Sequence, residues 1–167
     1  MSTSALIDRL AATPRTLALL VVEETEEGLD AAPPGEWSAR TLLAHLRDDE
    51  YLCMRVALER MLAQDDPEVL FIEGEDWEPG RNRGRDRRDQ LLADFALQRQ
   101  ASVSILRMLR PEEWSRLGHM PGLPPFTVES FLRGWIHHDE EHIAQLEQVL
   151  GASLEEILER RRQIPAG

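Results

Sequence analysis

Three of the five histidines in the chain stand where an imidazole can ligate a metal. His138 and His142 are four residues apart in the run WIHHDEEHIAQ, from Trp135 to Gln145. On a helix that spacing sets the two rings one turn apart on one face, within reach of a single ion. Both fall on a line through Val128, Phe131, Trp135, His138, His142, Gln145 and Val149, whose steps alternate between three and four. That is the pattern of a helix face turned to a core. His137 is rotated off the line by about 100°. A second line, Leu42, His45, Asp49, Leu52 and Val56, carries the third histidine and a carboxylate among apolar positions. A buried imidazole or carboxylate without a partner is costly, so these groups should meet one another. Three neutral imidazoles from two helices would supply three ligands to a divalent ion. They would leave coordination positions for water or substrate, which is how catalytic sites differ from closed structural ones. Imidazole suits zinc, nickel, copper and iron alike, so the residue types alone do not name the metal.

Other candidates carry less. His138-Asp139-Glu140-Glu141-His142 also reads as HxxEH, a zinc-protease pattern. Those proteases use a larger mixed α/β domain and a more distant carboxylate ligand, and strand signals are almost absent here. His119 falls in a Gly/Pro-rich connection and reads as a loop residue. The single cysteine, Cys53, excludes an internal disulfide framework and a Cys-based cluster. Its apolar surroundings make it a small core residue. Arg81, Arg83, Arg85, Arg87 and Arg88 crowd the run RNRGRDRRD. They could receive a phosphate or carboxylate of a ligand, but a solvated loop offsetting the acidic remainder is the favoured reading. The formal net charge of −12 argues against nucleic acid as a partner.

These side chains need rigid elements to position them. A chain of 167 residues fits one domain, residues 1–167. Helical periodicity recurs in four long segments. The first runs from about Ser4 to Glu27, with Thr13-Pro14 inside it predicting a kink or a break. The second opens at Ser38 as N-cap, with Trp37 packing back as a staple, and runs to about Ala63. The third spans roughly Asp86 to Leu109, and the fourth runs from a Thr127 cap to Leu150 and a Gly151 stop. Ser153 with Glu156 starts a short final helix that ends in Arg160, Arg161 and Arg162. Residues 64–85 read as a long loop of the kind that carries function. The fold class is therefore all-α, a four-helix bundle with a short extra C-terminal helix. No window approaches 18 uninterrupted apolar residues, and the first twenty include Asp8, Arg9 and Arg15. The expectation is no membrane span, no leader and a cytoplasmic location.

The run Glu36 to Glu50, EWSARTLLAHLRDDE, resembles the "W-S…HL-x-D-x-E" opening of DinB-like proteins. Phe126 to Leu146 resembles their "T…L…W…HD…H-x-x-Q" end, in the right order and at the right separation, so the likeness spans nearly the whole chain. It implies a bundle with an up-down-down-up path, a zinc or nickel centre at His45, His138 and His142, and a homodimer. The wider superfamily includes thiol-dependent S-transferases and isomerases that use mycothiol or bacillithiol, among them relatives of mycothiol-dependent maleylpyruvate isomerase N-terminal domains. The resemblance therefore implies a metal-dependent enzyme that brings a small-molecule substrate to a low-molecular-weight thiol cosubstrate. Two alternatives stand beside it: a metal-dependent hydrolase without a thiol, and a non-catalytic metal- or ligand-binding stress protein. Asp48, Asp49 and Glu50 occur where the pattern has carboxylates at only the first and third positions. Helix geometry favours Asp49 as the group reaching His45, the family pattern favours Asp48, and Asp139 is a further candidate to orient an imidazole.

Overall fold

The computed structural model describes residues 2–71 and 86–163, so Arg81, Arg83 and Arg85 lie outside the described residues. Helix α1 (Thr3–Leu20) starts at Ser2, whose hydroxyl accepts from the Ala5 N–H. The segment expected to reach Glu27 stops at Leu20, just before Glu23, Glu24, Glu26 and Glu27. A run of carboxylates at a helix C-terminus opposes the dipole and repels itself. Pro14, by contrast, does not break α1. It lacks the N–H that would bond the Leu10 carbonyl. The Arg99 guanidinium donates to that carbonyl instead, Nη1 to O 3.0 Å.

Helix α2 (Ala39–Asp49) is capped by Ser38, whose Oγ accepts from the Thr41 N–H at 3.2 Å. It passes through a π turn (Glu50–Met54) directly into α3 (Arg55–Ala63). The wider turn inserts one residue and rotates everything after it by about 100°. The expectation that Leu52 and Val56 continue the buried line is therefore corrected: they are 48% and 39% exposed. Glu50, Cys53, Met54, Ala57, Leu58 and Met61 face inward in their place. Helix α4 (Arg88–Met108) follows, then a 3₁₀ turn at Pro111–Ser115. A two-residue ribbon pairs β1 (Leu117–Gly118) antiparallel to β2 (Phe126–Thr127). Gly118 is required here, because a Cβ would lie 2.8 Å from the Met61 side chain. Helix α5 (Val128–Leu150) is capped by Thr127 and ends at Gly151, whose φ of 66° suits glycine. The Ser153–Glu156 capping box opens α6 (Leu154–Arg162).

Side-chain contacts set the helix directions. Asp8 pairs with Arg107, Leu10 with Arg99 and Val21 with Arg88, so α1 runs antiparallel to α4. Arg47 pairs with Asp86 and Glu50 with Arg99, so α2 and the π turn run parallel to α4. His45 lies beside His142 and Asp49 beside His138, so α2 is antiparallel to α5. The path is up-down-down-up, as expected, with α1 and α2 each packed on α4 and α5. Among the described residues, no helix is long and apolar enough to cross a membrane.

The core is divided. One apolar cluster gathers Leu10, Leu58, Met61, Phe131 and Trp135, and the other gathers Leu17, Leu42, Leu46, Phe95 and Leu146. A layer of buried polar residues lies between the two: Thr13 on α1, Asp49 at the end of α2, Glu50 in the π turn, Arg99 on α4 and Asp139 on α5. Arg99 donates to Glu50 at 2.8 Å and to Asp139 at 2.5 and 3.0 Å, and the Thr13 hydroxyl donates to Asp139 at 2.6 Å. The rings of Phe95 and Trp135 lie 4.7 and 5.5 Å from the guanidinium carbon. Removing the cation from such a layer leaves buried carboxylates without compensation. Arg99→Met should cost about 3–5 kcal/mol of unfolding free energy. Thr13→Val, which removes one hydrogen bond to a charged group, should cost about 1.5–3 kcal/mol. Urea denaturation checks the order; equal losses would show that Arg99 is not the compensating charge.

Candidate metal centre

The chain's own geometry brings together the three histidines that the sequence singles out. One ring nitrogen from each of His45, His138 and His142 lies within 4.8 Å of the others. The ring centroids are 4.5 Å apart for His138–His142, 4.6 Å for His45–His142 and 5.6 Å for His45–His138. His45 is buried, while His138 and His142 are half-buried because they line a cavity of about 850 Å³. The lower part of the α5 seam is therefore less enclosed than its spacing predicts: Gln145 is exposed and Val149 half-buried. A tetrahedral ion with nitrogen bonds of about 2.0–2.1 Å sets its ligand atoms about 3.4 Å apart, so small ring rotations would bring this cluster to ligating distance.

Asp49 stands inside the cluster rather than behind it. Its Oδ2 is 3.4 Å from His45 Nε2 and 3.3 Å from His138 Nε2, and its Oδ1 makes no hydrogen bond within the described residues. Asp48 turns away and pairs with Arg47 at 2.9 Å. Asp139 lies on the far side of the His138 ring, with Oδ1 3.9 Å from Nδ1, and is itself gripped by Arg99 and Thr13. The His142 Nδ1 lies 2.8 Å from Gln145 Oε1. An amide oxygen only accepts, so this contact puts the proton on Nδ1 and leaves the Nε2 lone pair free. Trp37 closes the cluster from the α2 side, its ring centroid 4.9 Å from His45 and stacked 6.4 Å from His142. Three imidazoles, an under-bonded carboxylate and an open cavity form a donor set that fits zinc, nickel or a similar ion.

The electrostatics of the metal-free cluster set His138 and His142 apart. Burial opposes charge on His138, but the carboxylates of Asp139 and Asp49 on either side of the ring outweigh it and push its pKa up to about 9. Burial and then the charge on His138 hold His142 below its ordinary value. Burial alone would raise Asp139, yet Arg99 holds it below the usual carboxylate range. For Glu50 burial wins over Arg99 and pushes the carboxyl up. The two carboxyls that share Arg99 are thus driven apart, and Asp139 carries the charge that faces His138.

The remaining candidates lie elsewhere. His137 is exposed beside Glu141 at 3.5 Å, so the glutamate of the HxxEH reading points away from the cluster. His119 pairs with Asp66 at 3.1 Å and bridges to the Glu68 strand segment. Arg88 donates to the Glu24 carbonyl at 2.6 Å, which ties α4 to the end of α1 rather than to the cavity. Cys53 is buried, as expected of a core residue. The sequence reading missed Arg99 and Glu50. Arg99 had a signal, since Leu91, Phe95, Arg99, Ser102 and Leu106 trace a helical seam with one charge in it. Glu50 stands at a carboxylate position of the DinB-like pattern, but nothing in the periodicity marks the π turn that turns it to Arg99.

The family model of the DinB superfamily matches residues 9–146. Among solved structures, YfiT from Bacillus subtilis matches with a TM-score of 0.81 at 22% identity, covering 92% of this chain and 91% of that one. At that identity the likeness is one of fold. YfiT is described as a probable metal-dependent hydrolase with an unusual four-helix bundle topology. No curated protein matches the chain.

The raised pKa of His138 has a signed consequence for the metal-free protein. Its folded value is about 9 against an ordinary 6.5, so the fold binds this proton more tightly than the unfolded chain. The resulting stability is fully present below pH 6.5 and is lost as pH rises through about 9. In excess chelator the urea midpoint should fall across that window, and the fall should shrink in His138→Gln. An equal fall in both proteins would remove His138 as the source.

Proposed function

The chain belongs to the DinB superfamily, and from that premise we propose that it is a metal-dependent enzyme transferring a low-molecular-weight thiol to an electrophilic small molecule. His45, His138 and His142 hold one divalent ion, zinc or nickel. The observation that carries this reading is the convergence of three imidazoles from opposed helices on the wall of an open cavity of about 850 Å³. A bound divalent ion lowers the pKa of a coordinated thiol or water and so makes a nucleophile available at neutral pH.

The chain's own groups do the rest. Gln145 behind His142 holds that ring with its outer nitrogen toward the cluster, and the Asp139 carboxylate faces the His138 Nδ1 across 3.9 Å. Asp49 Oδ1, which has no hydrogen-bond partner among the described residues, receives the thiol proton. The sulfur electron pair forms the new S–C bond, and the leaving group departs with the pair it had shared with carbon. Trp37 and Trp135 exclude water from either side of the imidazoles.

Hydrolysis is the second reading, favoured by the description of YfiT and by the same oxygen of Asp49, which could equally take a proton from water. Elemental analysis of the natively purified protein should give about one divalent ion per chain. His142→Ala should weaken its retention by more than about 100-fold, beyond the loss expected for an outer partner. Asp49→Asn should keep the metal and lower kcat by about a hundred- to ten-thousand-fold. Turnover of electrophiles that needs mycothiol, bacillithiol or a similar thiol selects the transferase. Thiol-independent ester or amide cleavage selects the hydrolase, and a metal-loaded protein inert on both panels would sink the enzyme reading.

A further inference from the structure

The cavity changes character across the imidazole cluster. On one side it is walled by Met54, Phe71, Met120, Phe126, Phe131 and Trp135. Phe131 is the centre of that wall, with ring centroids 6.1 Å from Phe71, 6.2 Å from Phe126 and 5.6 Å from Trp135. On the other side the lining is mixed, with the exposed polar Glu36, Gln145 and Gln148 beside Trp37, Leu42 and Val149. Phe131 lies seven residues before His138 on α5, so the aromatic end reaches about 10 Å from that imidazole, whereas the polar end begins at the cluster itself, with Gln145 2.8 Å from His142.

Charge distinguishes the ends further. Among the described lining residues the only full charges apart from the histidines are the carboxylates Glu36 and Asp49; there is no lysine or arginine. Among the described residues the aromatic end has no titratable side chain, and its one hydroxyl, on Ser130, is hydrogen-bonded to Thr127 at 2.9 Å. An anionic group entering that end would lose water without gaining a counter-charge or a donor. A flat apolar body would instead meet ring faces and the pliable side chains of Met54 and Met120.

We propose that the aromatic end of the cavity is the acceptor site, and that it takes an uncharged, apolar substrate body of about two fused or linked rings. The assignment rests on the metal-dependent transfer reading for which of the two reactants sits there. The choice of body rests on the lining alone.

Two probes that differ by one charge test it on the full-length, metal-loaded chain: N-phenyl-1-naphthylamine and its 8-sulfonate. Fluorescence titration should show the neutral probe binding once per chain and the sulfonate at least tenfold more weakly. Met120→Glu should weaken the neutral probe at least tenfold and Phe126→Ala severalfold, while Leu97→Glu, on the exposed face of α4, should leave it unchanged. If Met120→Glu fails to fold, Phe126→Ala carries the comparison. The sulfonate binding as tightly as the neutral probe, or the neutral probe ignoring both cavity variants, overturns the proposal. His142→Ala separates the two readings, because it should lose the metal and keep the neutral probe. Retained probe selectivity without any metal or turnover would therefore fault the enzyme reading and leave the substrate-body assignment standing.

Discussion

The guanidinium of Arg99 lies 2% exposed at the centre of the bundle and answers groups from three other elements. Glu50 comes from the π turn, Asp139 from α5, and the Leu10 carbonyl from α1. A buried cation is tolerable only when charge and hydrogen bonds compensate it together, so each of these elements must keep its rotation and height. Pro14 shows how specific that constraint is. In most helices an interior proline leaves a carbonyl stranded. Here the stranded carbonyl is an acceptor that the layer needs, and α1 continues past it.

The same layer explains the π turn. Asp49 and Glu50 are adjacent in sequence, yet both must point inward, Asp49 to the imidazoles and Glu50 to Arg99. Successive residues on an α-helix diverge by about 100°, and the apolar residues of α3 must still reach the core beyond them. An inserted residue reconciles these demands by resetting the phase after Asp49, which turns Tyr51 and Leu52 out and brings Cys53 and Met54 in. π turns recur at functional sites because they place neighbouring side chains in combinations that a regular helix denies.

The fold class, the bundle path and the three histidines were legible because α5 and the first half of α2 are uninterrupted helices whose periodicity maps directly onto space. What the periodicity could not carry was anything that depends on a break in it. An unbroken helical phase puts Leu52 and Val56 on the buried line, and the π turn breaks that phase. Trp37 could be read as a staple, but its stacking on His142 depends on how the 31–37 loop returns to the bundle. Asp49 and Asp48 were separable only by geometry, since one residue of difference decides whether a carboxylate meets the imidazoles or Arg47. Arg99 was missed for a different reason: a single arginine on an apolar seam invites the assumption that its long side chain reaches water.

A polar layer that divides a core also limits how well that core can close. Apolar side chains interdigitate without direction, whereas the groups around Arg99 are held at hydrogen-bonding angles that leave little freedom to fill space. The cavity opens at this boundary, between α2 and α5, and inherits an aromatic wall from one cluster and an exposed polar end beyond the other. The imidazoles sit at the junction, where Arg99 and Thr13 already hold the Asp139 carboxylate that faces His138. The field of the whole chain acts on the same place. A net charge of −12 draws divalent cations toward the cluster and disfavours anions that lack a local counter-charge. The positive charges of the layer do not reverse this, since Arg99 is consumed by Glu50 and Asp139, and His138 gives up its proton when its nitrogen becomes a ligand. A neutral reactant beside the imidazole cluster is therefore what this arrangement of charge accommodates at least cost.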